Sequence, residues 1–174
     1  MSKQEYIVRD ANSNEFQEIG ALMVEVYSQL EGFPSTTEQP EYYNLLANIG
    51  SLTENPKTRL LVAATADGEI GGGVVYFGDM KYYGSGGTAV NEKNAAGFRL
   101  LAVSPSARGK GIGKLLTNAC LQTAKDEQLK HMIIHSTKAM EIAWGMYEKM
   151  GFKRAEDLDF MQDKLQVFGF RLAL

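Results

Sequence analysis

The sequence predicts a mixed α/β domain (α+β type): a largely antiparallel sheet of about six to seven strands flanked by about four helices. Three observations carry this. Short β-branched and apolar runs alternate with stretches whose apolar residues recur at helical spacing. Asp67-Gly68 joins two apolar runs as a hairpin turn does. A further apolar run, Ala96 to Val103, passes through a glycine-rich turn into an amphipathic stretch.

Each element follows in order. Tyr6 to Val8 reads as a short first strand. Ile19, Leu22, Met23, Val26, Tyr27 and Leu30 share one helical face, and Gly32 stops that helix. Pro34 to Gln39 is loop. Pro40 opens a second helix, since proline fits the first turn, with Leu45, Leu46 and Ile49 as its buried stripe. Arg59 to Ala66 and Ile70 to Phe77 form the hairpin, the second strand weakened by Gly71-Gly-Gly73. Gly78 to Ala95 is polar and glycine-rich and predicts a long exposed excursion. Ala96 to Val103 is the next strand. Its helix buries Ile112, Leu115, Leu116, Ala119, Cys120 and Ala124. His131 to His135 is a strand. Met140, Ala143, Trp144 and Tyr147 mark a last helix, ended by Gly151 as a C-cap. Phe152 to Phe160 and Lys164 to Leu172 predict a closing strand pair.

The length of 174 residues suits one compact domain, 1–174, with chain enough for a core. Hydrophobic content of 44% excludes a disordered chain. Eighteen basic residues against 21 acidic ones argue against nucleic acid, which needs a basic face, and leave room for a local basic site. One cysteine, Cys120, excludes an internal disulfide and a cysteine-based metal site. The opening MSKQEYIVRD is polar, without the apolar core of a signal peptide, and no apolar run approaches membrane-spanning length. A soluble, cytoplasmic protein is expected, with neither membrane nor nucleic acid as partner.

The densest chemistry lies in Arg108-Gly-Lys-Gly-Ile-Gly-Lys114, three glycines and three cations in seven residues at a helix start. A helix N-terminus exposes unpaired N–H groups and carries partial positive charge. Glycines let an anion approach the backbone, and Arg108, Lys110 and Lys114 add full charges. The pattern points to a phosphate or diphosphate held mainly by main chain. The Walker loop does not fit: its first glycine position is Arg108 and its Ser/Thr position is Leu115. The dinucleotide fingerprint fails too, because the third glycine, Gly113, comes one residue early.

Arg108-Gly-Lys-Gly-Ile-Gly113 resembles the Arg/Gln-x-x-Gly-x-Gly/Ala motif of the GNAT superfamily of acetyl-CoA-dependent N-acetyltransferases. Leu101-Ala-Val-Ser-Pro105 resembles that family's fourth-strand pattern, and Tyr147-Glu-Lys-Met-Gly-Phe152 its Tyr-Glu-x-x-Gly-Phe signature. The resemblance is strong from about Phe98 to Lys153. It implies a splayed strand pair, 96–103 and 131–135, with the pantetheine arm of coenzyme A in the gap. It implies cofactor contacts from Leu101, Ala102 and Val103, from Arg108, Gly109, Lys110, Gly111, Ile112, Gly113 and Lys114, and from Ala143. Acetyl-CoA is thereby the co-substrate, no metal is needed, and Tyr147 is the acid that protonates the leaving thiolate. Spacing alone favours a core tyrosine on an amphipathic helix at Tyr147; the signature around it is what points to the acid.

Two positions depart from the family. Met140 stands where an Asn is common, seven residues before the tyrosine. The fourth strand has no glutamate, Arg99 being its single charged residue. The base is therefore open among an ordered water, an acid such as Glu31, and bulk solvent. The expected activity is acetyl transfer to a primary amine, a small molecule rather than a protein, in a chain that is a monomer or a homodimer. A coenzyme A-binding regulatory module without transfer is the alternative. His131 and His135 lie roughly 13 Å apart on one strand face, too far to share a metal, and read as surface or strand-end residues. Cys120 reads as buried filler. Tyr42-Tyr43 and Tyr82-Tyr83 are candidates for an acceptor pocket or for packing, and Gly84-Ser-Gly-Gly87 for a lid or a plain hairpin.

Overall fold

The computed structural model describes residues 5–174; the first four residues of the polar opening lie outside them. Eight strands and four α-helices follow in chain order: β1 (Ile7–Asp10), α1 (Phe16–Ser28), α2 (Pro40–Ala47), β2 (Thr58–Ala64), β3 (Ile70–Phe77), β4 (Ala95–Val103), α3 (Ile112–Asp126), β5 (His131–Ser136), α4 (Glu141–Lys149), β6 (Lys153–Arg154), β7 (Phe160–Gln162) and β8 (Leu165–Ala173). The sheet order is β1-β2-β3-β4-β5-β8-β6, with β7 paired to β8. β4 and β5 are parallel; every other pair is antiparallel. The mixed, largely antiparallel architecture is the one expected, one strand richer.

Helices cover both faces, which explains the continuous apolar runs in β2 and β3. Leu60 and Val62 pack toward α1 and α2, with Ile19, Met23, Tyr27 and Leu46. Leu61 and Ala63 pack on the other face with Ile112, Leu116, Cys120 and Tyr147. Each buried leucine, isoleucine, valine or methionine among them contributes about 1.5–3 kcal/mol. The glycines of β3 serve that packing: a Cβ on Gly72 would lie 2.7 Å from the Ala102 carbonyl oxygen and 3.0 Å from Ile112. They let the start of α3 sit down on the sheet, rather than weakening the strand.

β4 carries a bulge. Gly73 pairs with Ala102 and Val75 with Arg99, so three steps on β4 answer two on β3. Leu100 absorbs the extra residue at φ 64°. A left-handed leucine costs about 1–2 kcal/mol, which burial of its side chain offsets. The bulge reverses the faces. Ala96 and Phe98 face α3 and α4, whereas Leu100 and Ala102, of the same parity, face α1 and α2.

Beyond the bulge β4 leaves β5. The two pair only at Ala95–His131, Ala96–Met132 and Gly97–Ile133. β5 continues against β8 as far as Ser136–Phe168. The expected splay is present, and a wedge opens between the C-terminal ends of β4 and β5.

Several expectations change. The 78–95 segment is not an exposed excursion: Met80, Tyr83 and Ala89 are buried, and two short 3-10 turns fold it onto the sheet. The closing strand pair is broken on its first side. Asp159 accepts from the Gly169 N–H at 2.7 Å and from Arg154, replacing ladder bonds with a side-chain clamp. In α3, Leu115 is 37% exposed while Thr117 is buried, its hydroxyl donating to the Gly113 carbonyl at 2.8 Å. Leu45 is half-buried, and Ile49 belongs to the 3-10 turn after α2.

Candidate active site

The wedge is the mouth of a cleft of about 890 Å³ running from the glycine loop, past β4 and β5, to α1 and the β7–β8 hairpin. At one end the loop enters α3 with Gly111 as its N-cap, φ 75°. Gly109 is also left-handed, φ 79°, and an added Cβ at either glycine would meet no atom within 4 Å. Their freedom serves the backbone turn and leaves open space above it. The first intrahelical bond is Leu115 N–H to the Gly111 carbonyl, 3.0 Å, so the N–H groups of Ile112, Gly113 and Lys114 stay free of the helix. Among the described residues Arg108, Lys110 and Lys114 make no salt bridge. This end is strongly anion-seeking.

Most of the sequence-predicted contact residues line the cleft: Leu101, Val103, Arg108, Gly109, Gly111, Ile112, Gly113, Lys114, Ala143 and Tyr147. Ala102 is buried behind it, and the Lys110 ammonium lies over the Tyr6 ring at 5.9 Å, outside the lining. Ser104 N–H bonds to the Gly71 carbonyl at 2.8 Å, so strand alternation turns the Leu101 and Val103 main chain toward the wedge. One of those carbonyls, Leu101, accepts the Tyr27 hydroxyl at 3.1 Å. Across the wedge, Ser136 and Thr137 line the cleft, and their hydroxyls are buried and, among the described residues, without a hydrogen-bond partner. Unsatisfied buried hydroxyls beside an open strand edge fit a ligand bearing amides. With the loop, they fit a long carrier that ends in a diphosphate.

Tyr147 sits at the centre of this arrangement. Its ring packs on Phe98 and Phe152, and the residue is 5% exposed. Among the described residues no group bonds its hydroxyl, although the side chain lines the cleft. Burial pushes the phenol well above its ordinary value, so it stays protonated throughout the neutral range. Met140 is the N-cap of α4 and lines the cleft in place of a polar side chain.

The far end is aromatic. Tyr27, Phe33 and Tyr42 stack in mutual contact at 5.6–6.2 Å. Burial raises the Tyr27 phenol and pushes Tyr42 to about 12, so both remain neutral donors. Glu31 stands exposed at the rim. His135 is not the surface residue expected. It lines the cleft, accepts the Tyr83 hydroxyl on Nδ1 at 2.9 Å and donates Nε2–H to the Leu158 carbonyl at 2.9 Å. Leu158 offers only an acceptor, which fixes the tautomer. Burial lowers the imidazole's basicity, and both ring nitrogens are engaged in tying Tyr83 to the Leu158 carbonyl. Cys120 is buried, as expected, and burial raises its thiol.

Residues 23–152 match the family model for the acetyltransferase (GNAT) family. N-acetyltransferase 8F1 of Mus musculus is 40% identical over 58 residues, which are 33% of this chain and 26% of that protein. An acetyltransferase of the GNAT family from Staphylococcus aureus superimposes with a TM-score of 0.73 at 16% identity, covering 97% of this chain and 99% of its own. The PaiA N-acetyltransferase of Thermoplasma acidophilum, solved in complex with coenzyme A, gives 0.68 at 18% identity, covering 97% and 98%. These structures share the fold; the family match spans three-quarters of the sequence and takes in the glycine loop, the splayed strands and Tyr147. On that match the chain belongs to the acetyltransferase (GNAT) family.

Proposed function

We propose that this chain moves an acetyl group from acetyl-CoA to a primary amine of a small molecule by direct attack. The observation that carries it is the meeting, in one cleft, of a free helix N-terminus, an open strand edge and the unbonded Tyr147 hydroxyl. When bound, acetyl-CoA supplies a thioester carbon open to an amine and a sulfur able to leave.

The remaining work falls to this chain's own groups. The N–H groups from Gly109 to Lys114, with Arg108 and Lys114, hold the diphosphate. Ser136 Oγ and Thr137 Oγ1 satisfy the arm's amides together with the Leu101 and Val103 main chain. An N–H near Val103, turned to the wedge, stabilises negative charge on the carbonyl oxygen. Tyr147 Oη gives a proton to the departing sulfur. On ordinary values this transfer is uphill by about 2 kcal/mol. Burial raises the phenol further, but the same apolar surroundings make the thiolate more basic, so the two shifts partly cancel.

No carboxylate stands on β4, and Arg99 cannot accept a proton. The amine therefore arrives neutral or is relieved of its proton at the rim, where Glu31 stands. The test is amine-dependent thiol release from acetyl-CoA, corrected for hydrolysis, across an amine panel. Release by the native protein and its loss in Tyr147→Phe support the reading. Coenzyme A binding without release from any amine would favour a regulatory module, and no calorimetric signal with millimolar acetyl-CoA would remove both.

A further inference from the structure

Six arginines occur in the chain. Four are neutralised: Arg9 by Glu15, Arg59 by Asp10, Arg154 by Asp159, and Arg171 by Asp157 and Glu92. The two without a carboxylate among the described residues, Arg99 and Arg108, both line the cleft. Arg108 belongs to the diphosphate loop. Arg99 lies elsewhere, on the face of β4 turned to α1 and α2, beside the bulge.

Its guanidinium is half-buried and held in place. Nη1 donates to the Tyr83 carbonyl at 2.8 Å, and the group sits 5.6 Å over the Tyr83 ring. Tyr83 is fully buried and tied by its hydroxyl to His135, itself tied to the Leu158 carbonyl. Among the described residues one of the guanidinium's five N–H donors is used. The others are left for water or a ligand, and a carboxylate would replace water there with a charged pair. Tyr27 and Tyr42 lie close enough to feel the Arg99 charge, and with Phe33 and Phe160 they line the cleft as an aromatic wall without formal charge. The lining of the cleft includes one acid of the α1–α2 segment, Glu31, which is exposed.

Resting on the acetyl-transfer reading, we propose that the acceptor is an amino acid with an apolar or aromatic side chain. Arg99 receives its carboxylate and the aromatic wall receives its side chain, leaving the amine for the thioester. A planar fork and a carboxylate match in shape as well as charge.

The test uses phenylalanine, tyrosine, tryptophan, leucine and methionine, each beside its decarboxylated amine. Binding is measured by calorimetry on protein saturated with coenzyme A, and transfer by thiol release. At least one amino acid is expected to bind about 10- to 100-fold tighter than its amine, the effect of one charged hydrogen-bonded pair. Arg99→Gln should abolish that preference and Arg99→Lys keep part of it, both leaving coenzyme A affinity unchanged. The inference is overturned if no amino acid is preferred in the native protein, if the preference survives Arg99→Gln, or if that variant instead loses coenzyme A. Arg99-dependent binding without thiol release would count against acetyl transfer while leaving the carboxylate site standing. The native comparison needs no variant to fold.

Discussion

The Tyr27 hydroxyl of α1 donates a hydrogen bond to the Leu101 carbonyl of β4 across 3.1 Å. That bond ties the first helix to the strand just past its bulge, where β4 leaves β5. It also spends one lone pair of a carbonyl that faces the wedge. Tyr27→Phe keeps the ring contacts with Phe33 and Tyr42 and leaves the carbonyl unpaired. A loss of about 1–2 kcal/mol is expected, read as a lower urea midpoint at unchanged slope. An unchanged midpoint would mean that water replaces the hydroxyl.

Tyr147→Phe separates catalysis from folding. Among the described residues the hydroxyl has no partner, so its removal should leave stability within about 0.5 kcal/mol. Turnover should fall by about 10²- to 10⁴-fold, the usual worth of a positioned proton donor, with coenzyme A affinity unchanged. Because burial raises the phenol, the proton stays on as pH climbs past the ordinary tyrosine value. Native turnover should therefore rise with pH as the amine is deprotonated, and show no descending limb up to about pH 10. A fall beginning near pH 8 would assign the acid to another group.

The loop makes a charge-specific prediction. Gly111 is left-handed with open space above it, a conformation that Asn and Asp tolerate better than other side chains. Gly111→Asn and Gly111→Asp should fold alike and differ in charge alone. The aspartate variant should bind coenzyme A about tenfold more weakly than the asparagine variant, through repulsion at the helix N-terminus. Equal affinities would place the diphosphate elsewhere.

What the sequence disclosed depended on how far apart the cooperating residues lie. The glycine loop is contiguous, so its anion chemistry is readable from seven letters. Tyr147 is readable because its signature surrounds it. The aromatic and arginine end of the cleft is assembled from distant pieces: Arg99 meets Tyr83 across 16 residues, Tyr83 meets His135 across 52, and Tyr27 meets Leu101 across 74. No local pattern announces such contacts. His135 accordingly read as a strand-end residue, and the 78–95 segment as exposed, because its polar letters hide that Tyr83 turns inward. A helix-spaced Leu115 on the open side of α3 misled in the same way, since periodicity fixes a face to within one residue and the close approach at Gly72 decides the rest.

Cys120 lies on the buried face of α3, and burial raises its thiol. It is neither nucleophilic nor reachable. Cys120→Ala should cost about 1 kcal/mol for the small void and leave turnover within twofold of native. Iodoacetamide should not inactivate the folded protein; rapid inactivation that the alanine variant escapes would place the thiol in the chemistry.

The clamp at the closing strands gives the pH dependence of stability a specific source. Arg154 donates twice to Asp159, at 2.8 and 2.9 Å, and the Gly169 N–H donates a third time, at 2.7 Å. The hydrogen bonds from Arg154 hold the Asp159 carboxyl below its ordinary value, against an opposing effect of burial. A carboxylate lowered in the folded state contributes stability that is complete above its unfolded value, near about pH 4, and is lost as pH falls through the lower folded value. At pH 7, Asp159→Asn should therefore be less stable than native by about 1–2 kcal/mol, and the gap should narrow steadily below about pH 4. Glu15 and Asp157 are lowered in the same sense by Arg9 and Arg171, so total stability falls in both proteins and only the difference isolates the clamp. Urea midpoints of the pair between pH 2.5 and 7 measure it. A gap that stays constant across that range would show that the asparagine loses packing rather than charge, and that the broken strand is held by Leu158 against Gly169 instead.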